Sequence, residues 1–259
     1  MEAILKRDKI VILAALAGLA VLSWGYMVRE ARGMNLTGVC CCAGMKMSGP
    51  DMHRWDTAAL LPLFLMWSEM MVAMMLPSAV PTILTFAAVN RKRREQERPF
   101  VPTFTFMLGY LAIWTAFSGV AALAQWTFHS LTLLSPKMVA TSAWLGGSLL
   151  IAAGVFQCTP LKSTCLVHCR SPLTFLMTQW RDGQRGALLM GLKHGALCVG
   201  CCWALMGLLF AVGVMNMWWV AIIAFFVLAE KVFRNGLLIG KVAGVALTVF
   251  GAWVMLRQP

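Results

Sequence analysis

Charge is scarce in this chain. Only 12% of its 259 residues are Asp, Glu, Lys or Arg, against about 25% in an ordinary soluble domain. With 60% hydrophobic residues, that scarcity argues against a soluble globular protein and for an integral membrane one. The apolar runs are long and continuous. They lack the alternating segments of about 10 residues that mark a membrane β-barrel, so the expected fold is all-α, a polytopic transmembrane helical bundle. Negative charge is the scarcer sign, with 10 acidic against 22 basic residues and a net charge of +12. The basic residues cluster in short segments between apolar runs, as the positive-inside bias requires. They therefore point to anionic lipid headgroups and not to nucleic acid. Histidine is rare: His53, His129, His168 and His194 offer no axial pair at matching depth, which disfavours haem. No G-x-x-x-x-G-K-[ST] segment is present, so no nucleotide is expected. No G-x-S-x-G segment is present either, which disfavours serine hydrolysis.

About seven spans are expected (six to seven, since the last three are joined by short connections), at roughly 10–28, 57–80, 103–127, 139–158, 186–212, 217–233 and 237–256. The first follows Lys6, Arg7 and Lys9 and is longer than the apolar core of a signal peptide, so it reads as an uncleaved signal anchor. The run RKRREQER at 91–98 is the strongest vote for orientation and sets the N-terminus in the cytoplasm. Two parts follow: residues 1–56, an anchor span with an extracytoplasmic Cys/Met loop, and residues 57–259, a helical membrane core.

Sulfur is plentiful, with nine Cys and 19 Met. The segment KHGALCVGCCWALM (193–206) places His194, Cys198 and Cys202 at i, i+4 and i+8, with Cys201 beside them and Met206 one turn on. One helix face thus carries a stripe of soft donors. In the second span, Met66, Met70 and Met74 form a stripe, and Met71 and Met75 a neighbouring one. Methionine also fills cores, so the methionine stripe alone reads more readily as packing; cysteine too is commonly buried, but three cysteines in five residues with a histidine one turn away favour a site. Met70 and Cys201 are expected near one depth, which favours a shared site. Thiolates and thioethers together select Cu(I), whereas zinc takes four Cys or His ligands. Copper(I) is therefore the expected ion, with other soft metals, mercury included, as neighbours. Pro77 and Pro81 are expected to break or kink the second helix and free backbone carbonyls.

Two further groups flank this stripe. Cys40, Cys41, Cys42, Met45, Met47, Met52 and His53 form an outward segment suited to metal capture. Cys158, Cys165, His168 and Cys169 form an inward loop suited to handover, or to reduced structural thiols; Arg170, Ser171 and Pro172 resemble a helix stop. Adjacent cysteines are poor disulfide partners, and the odd total leaves at least one unpaired. Glu69 lies mid-span, where an ionisable side chain is costly. It is a candidate for ion coupling or for a structural pair, for instance with Lys193. Glu230 and Lys231 read as a local ion pair at a helix end.

Several pieces together resemble a bacterial family of predicted metal-binding integral membrane proteins, domain of unknown function 2182. They are MW-x-x-M-M-x-A-M-M-L-P-S (Met66 to Ser78), CL-x-x-CRSP (Cys165 to Pro172), G-x-K-H-G-x-x-C-x-G-CCWALM (Gly191 to Met206), GVMNMWW (Gly213 to Trp219) and Glu230-Lys231. The resemblance covers roughly residues 55–235. It implies metal binding, a multi-span helical fold and a bacterial inner-membrane location.

The leading expectation is a Cu(I)-binding membrane protein acting as a transporter or an intramembrane chaperone, with a metallochaperone or metalloenzyme recipient as partner and oligomerisation left open. This favours metal binding over catalysis. A membrane thiol–disulfide oxidoreductase built on Cys198-x-x-Cys201 is the alternative, and a structural or assembly subunit the third.

Overall fold

The computed structural model describes residues 2–37, 57–97, 101–135 and 138–257. Among them the chain is helical throughout, apart from short turns and one isolated bridge between Leu134 and Ala140. The helices are α1 (Glu2–Thr37), α2 (Leu60–Glu95), α3 (Thr103–Ser130), α4 (Ala143–Cys158), α5 (Pro160–Arg170), α6 (Pro172–Gln179), α7 (Gly183–Gly207), α8 (Leu209–Val212), α9 (Met217–Val232) and α10 (Gly236–Leu256). The expected helical bundle is present.

Five helical segments are long and apolar enough to cross a membrane: Ile10–Arg32, Leu60–Glu95, Thr103–Ser130, Gly183–Val212 and Gly236–Leu256. A sixth arises if α4 and α5, bent by 64° at Thr159, count as one broken span. The expected spans at 139–158 and 217–233 form helices α4 and α9, but each has 16 residues. At 1.5 Å per residue that is about 24 Å, short of the roughly 30 Å hydrocarbon core. The segment 158–172, expected as a loop, is the helix α5. Thr159 caps it, its hydroxyl accepting from the Lys162 amide at 3.3 Å, and Pro160 opens its first turn. Pro172 then ends α5 and starts α6.

The prolines of α2 do not break it, since the helix runs through Pro77 and Pro81, but Pro77 does free a backbone carbonyl as expected. Pro77 has no N–H to offer the Ala73 carbonyl one turn back. The indole N–H of Trp24, on α1, donates to that carbonyl at 3.1 Å. A neighbouring helix thus satisfies the group the proline frees, as apolar surroundings demand. Trp24→Phe is expected to destabilise the fold by about 1 kcal/mol. In a Pro77→Ala background, where residue 77 regains its N–H, that cost should largely vanish; equal costs in both backgrounds would show that the bond is immaterial. Detergent-state unfolding of the four proteins of the cycle measures it.

Glycines set the closest helix contacts. A Cβ on Gly109 of α3 would strike the Leu188 carbonyl and stand 2.8 Å from the Leu192 nitrogen of α7. On α4 and α10, a Cβ on Gly251 would lie 2.8 Å from the Gly147 carbonyl, and one on Gly244 2.7 Å from that of Gly154. Small residues let the backbones touch, as in membrane helix pairs generally. Helix α3 packs along both α2 and α7 and joins the two helices that carry the sulfur stripes.

Candidate metal centre

Helix α7 turns His194, Cys198, Cys201 and Cys202 inward, and all four are buried. Within the helix the thiols of Cys201 and Cys202 both donate to the Cys198 carbonyl, at 3.1 and 3.0 Å. Across the bundle, Cys202 Sγ stands 3.9 Å from Met75 Sδ of α2. Cys198 Sγ has two polar neighbours from other helices: the Tyr110 hydroxyl of α3 at 3.2 Å and Lys231 Nζ of α9 at 2.9 Å. The same Tyr110 hydroxyl donates to the Met75 carbonyl at 3.1 Å, and Lys231 Nζ donates to Ser78 Oγ at 2.9 Å. From α5, the buried Cys169 lies against the thiols of Cys198 and Cys201. One buried pocket thus gathers five sulfurs from three helices, a phenol and an ammonium.

His194 sits one turn before Cys198. Its ring is enclosed by Phe106, Tyr110 and Phe175, with centroids 6.1, 5.7 and 5.4 Å away. Its Nδ1 is buried without a hydrogen-bond partner. Such an atom is unusual in a folded protein and asks for a proton acceptor or a metal.

Not every expected residue joins the pocket. Met75 is the methionine within reach of a thiol; Met70, Met71, Met74 and Met206 lie in the surrounding core, and Met66 is packed against it half-buried. The thiols therefore meet α2 at Met75, not at the expected depth of Met70. The inward group divides as a helix must divide it. Cys169 faces the pocket. Cys165 is partly buried beside Gly200. Cys158 is exposed near the Lys241 carbonyl. His168 is exposed, its Nδ1 2.8 Å from the Thr164 carbonyl. All six cysteines named here are free. Cys40, Cys41, Cys42, Met45, Met47, Met52 and His53 lie outside the described residues. Among the described residues, no three His, Cys, Asp or Glu side chains converge to hold a metal.

The two acidic positions differ from expectation. Glu69, partly buried, faces Glu30 and Tyr26 of α1 and not Lys193; Lys193 Nζ instead donates to Gln179 Oε1 at 2.5 Å. Glu230 and Lys231 do not pair locally, because adjacent residues on a helix point apart. Glu230 forms a fully buried ion pair with Lys162 of α5, each side chain 2% exposed. Gln157 completes it, its carbonyl accepting from Lys162 and its Nε2 donating to Glu230 at 3.3 Å. The residues missed by sequence reasoning are thus Tyr110, Ser78, Lys162, Gln157 and the inward role of Lys231. Tyr110, one of two tyrosines in the chain and placed within an apolar span, was the one readable hint.

The family described as PpoB2, copper chaperone, matches residues 64–254. The chain belongs to the PpoB2 copper-chaperone family. The metal-related family expected from the motifs is therefore shown, under that description. The matched region contains the whole sulfur pocket, every helix from α3 to α9 and nearly all of α2 and α10; α1 precedes it. No curated protein and no solved structure matches the chain.

Proposed function

We propose that this PpoB2-family protein is an intramembrane chaperone that carries copper as Cu(I) in the pocket of Met75, Cys198, Cys202 and their sulfur neighbours Cys169 and Cys201. The observation that carries the reading is the 3.9 Å approach of Cys202 Sγ to Met75 Sδ across two helices. Two sulfurs bound to one ion at about 2.3 Å, the zinc–thiolate value, stand no more than about 4.6 Å apart. A thiol and a thioether at that separation suit a soft, low-coordinate ion, and water exclusion holds it reduced among free thiols. His194, with its orphaned Nδ1, is a further donor one turn away.

The protein is taken as a multi-pass protein of the bacterial inner membrane, N-terminus inside, with the sulfur-rich residues 40–53 capturing the ion and a metalloenzyme or metallochaperone receiving it. Glu69 is then a candidate for coupling any ion movement. Elemental analysis of protein purified under reducing conditions after copper-supplemented growth tests the reading. Wild type should hold about one copper per chain, and Cys198→Ser/Cys202→Ser should lose most of it, since removing ligands removes the binding energy. Metal-free wild type would overturn it.

A further inference from the structure

The sulfur pocket contains a positive charge with no carboxylate partner. Lys231 sits on α9, beside Glu230 in sequence, yet the Glu230 carboxylate is committed to Lys162 and Gln157. Among the described residues no carboxylate forms an ion pair with Lys231. Its Nζ is held instead by Ser78 Oγ and Cys198 Sγ, each at 2.9 Å. It also faces Cys169, Cys201, Cys202, His194 and Tyr110, and it attracts the Glu230 carboxylate without pairing with it. The ammonium is therefore anchored from two helices and points at the sulfurs.

We propose that Lys231 sets the charge of the ion this pocket accepts, admitting monovalent soft cations such as Cu(I) and Ag(I) and rejecting divalent ones such as Zn(II) and Cd(II). The inference rests on the reading of the pocket as the ion site. An ion bound to Cys198 lies no farther than about 5.2 Å from Lys231 Nζ, the 2.9 Å contact plus a metal–sulfur bond of about 2.3 Å. Repulsion at that range scales with the charge of the ion, so a divalent ion meets twice the penalty of a monovalent one. Salt screens it weakly, because Cys198 and its sulfur neighbours are buried. The donor count points the same way. Zinc-like ions need four nitrogen or sulfur ligands, and among the described residues no three His, Cys, Asp or Glu side chains are arranged to hold a metal ion. A site whose cross-helix sulfur pair is the Cys202 thiol and the Met75 thioether, with an ammonium beside Cys198, is matched to a soft ion of single positive charge.

The test compares Ag(I) with Cd(II), two soft ions with filled d shells that differ in charge. Affinities for both are measured by competition against chelators, using the full-length reduced protein in detergent. Wild type should bind Ag(I) and exclude Cd(II). Lys231→Met, which keeps the length and removes the charge, should raise Cd(II) affinity relative to Ag(I) at least about tenfold. Lys231→Arg, which keeps the charge, should leave the ratio near that of wild type. A Lys231→Met ratio equal to wild type overturns the proposal. If the neutral variant does not fold, wild type decides: Cd(II) bound as tightly as Ag(I) overturns it, and selective Ag(I) binding supports it. Wild type that binds neither ion defeats the reading of the pocket itself, a different outcome from binding both.

Discussion

Glu230→Ala should lower the unfolding free energy of the detergent-solubilised protein by about 3–5 kcal/mol, the cost of leaving one member of a buried ion pair unpaired. Lys162 would then keep its ammonium in the protein interior with only the Gln157 carbonyl as partner. Lys162→Met should cost a similar amount through the stranded carboxylate. The double replacement Lys162→Met/Glu230→Gln should recover most of the loss, because two neutral side chains need no charge compensation. Denaturant titration of the four proteins measures the cycle, and single variants within about 1 kcal/mol of wild type would show that the pair contributes little. The pair also has a bearing on the sulfur pocket. It ties α5, which carries Cys169, to α9, which carries Lys231. At the other end of α5, Arg170 donates to the carbonyls of Phe233 and Arg234. Helix α5 is thus fastened at both ends to the segment that holds the ammonium.

Gly191→Leu is expected to abolish the folded protein. A Cβ at Gly191 would fall on the Phe106 carbonyl of α3 and 3.1 Å from the Gly109 Cα. Those are backbone atoms, which cannot swing aside as a side-chain tip can, so the helices must separate. Overpacking of this kind costs typically 1–3 kcal/mol where side chains yield, and more where they cannot. Separation would also carry Tyr110 away from Cys198 and so open the sulfur pocket. Gly25→Ala is the control: nothing lies within 4 Å of a Cβ there, and alanine favours helix over glycine by about 1 kcal/mol. Size-exclusion profiles and thermal unfolding compare the two. A monodisperse Gly191→Leu protein as stable as wild type would contradict the α3–α7 contact.

Much of the site was readable because helical spacing is a local property. His194, Cys198 and Cys202 share a face by arithmetic alone, and they do lie inward together. The methionine stripe was readable to the same degree, yet among the described residues it is Met75 that meets a thiol across the bundle, because depth along one helix says nothing about how far its partner is shifted. Cys169 was grouped with Cys158, Cys165 and His168 as one loop. Once Pro160 and Thr159 start a helix there, period 3.6 sends Cys169 inward and His168 outward. Glu230 and Lys231 were read as partners from adjacency; on a helix, adjacency separates them, and their true partners are 68 and 33 residues away in sequence. Pro77 looked like a break until Trp24 supplied the missing donor.

Composition and period thus determined that the chain is helical, with helices long and apolar enough to cross a membrane, that it is rich in soft donors, and which face of α7 bears them, since these follow from residues within a few turns of one another. Which donors meet, and that an ammonium held by Ser78 and Cys198 stands among them, was decided only by tertiary packing. Those contacts join residues from five helices, and their register is set by glycine-to-backbone contacts and a buried ion pair that no local spacing encodes.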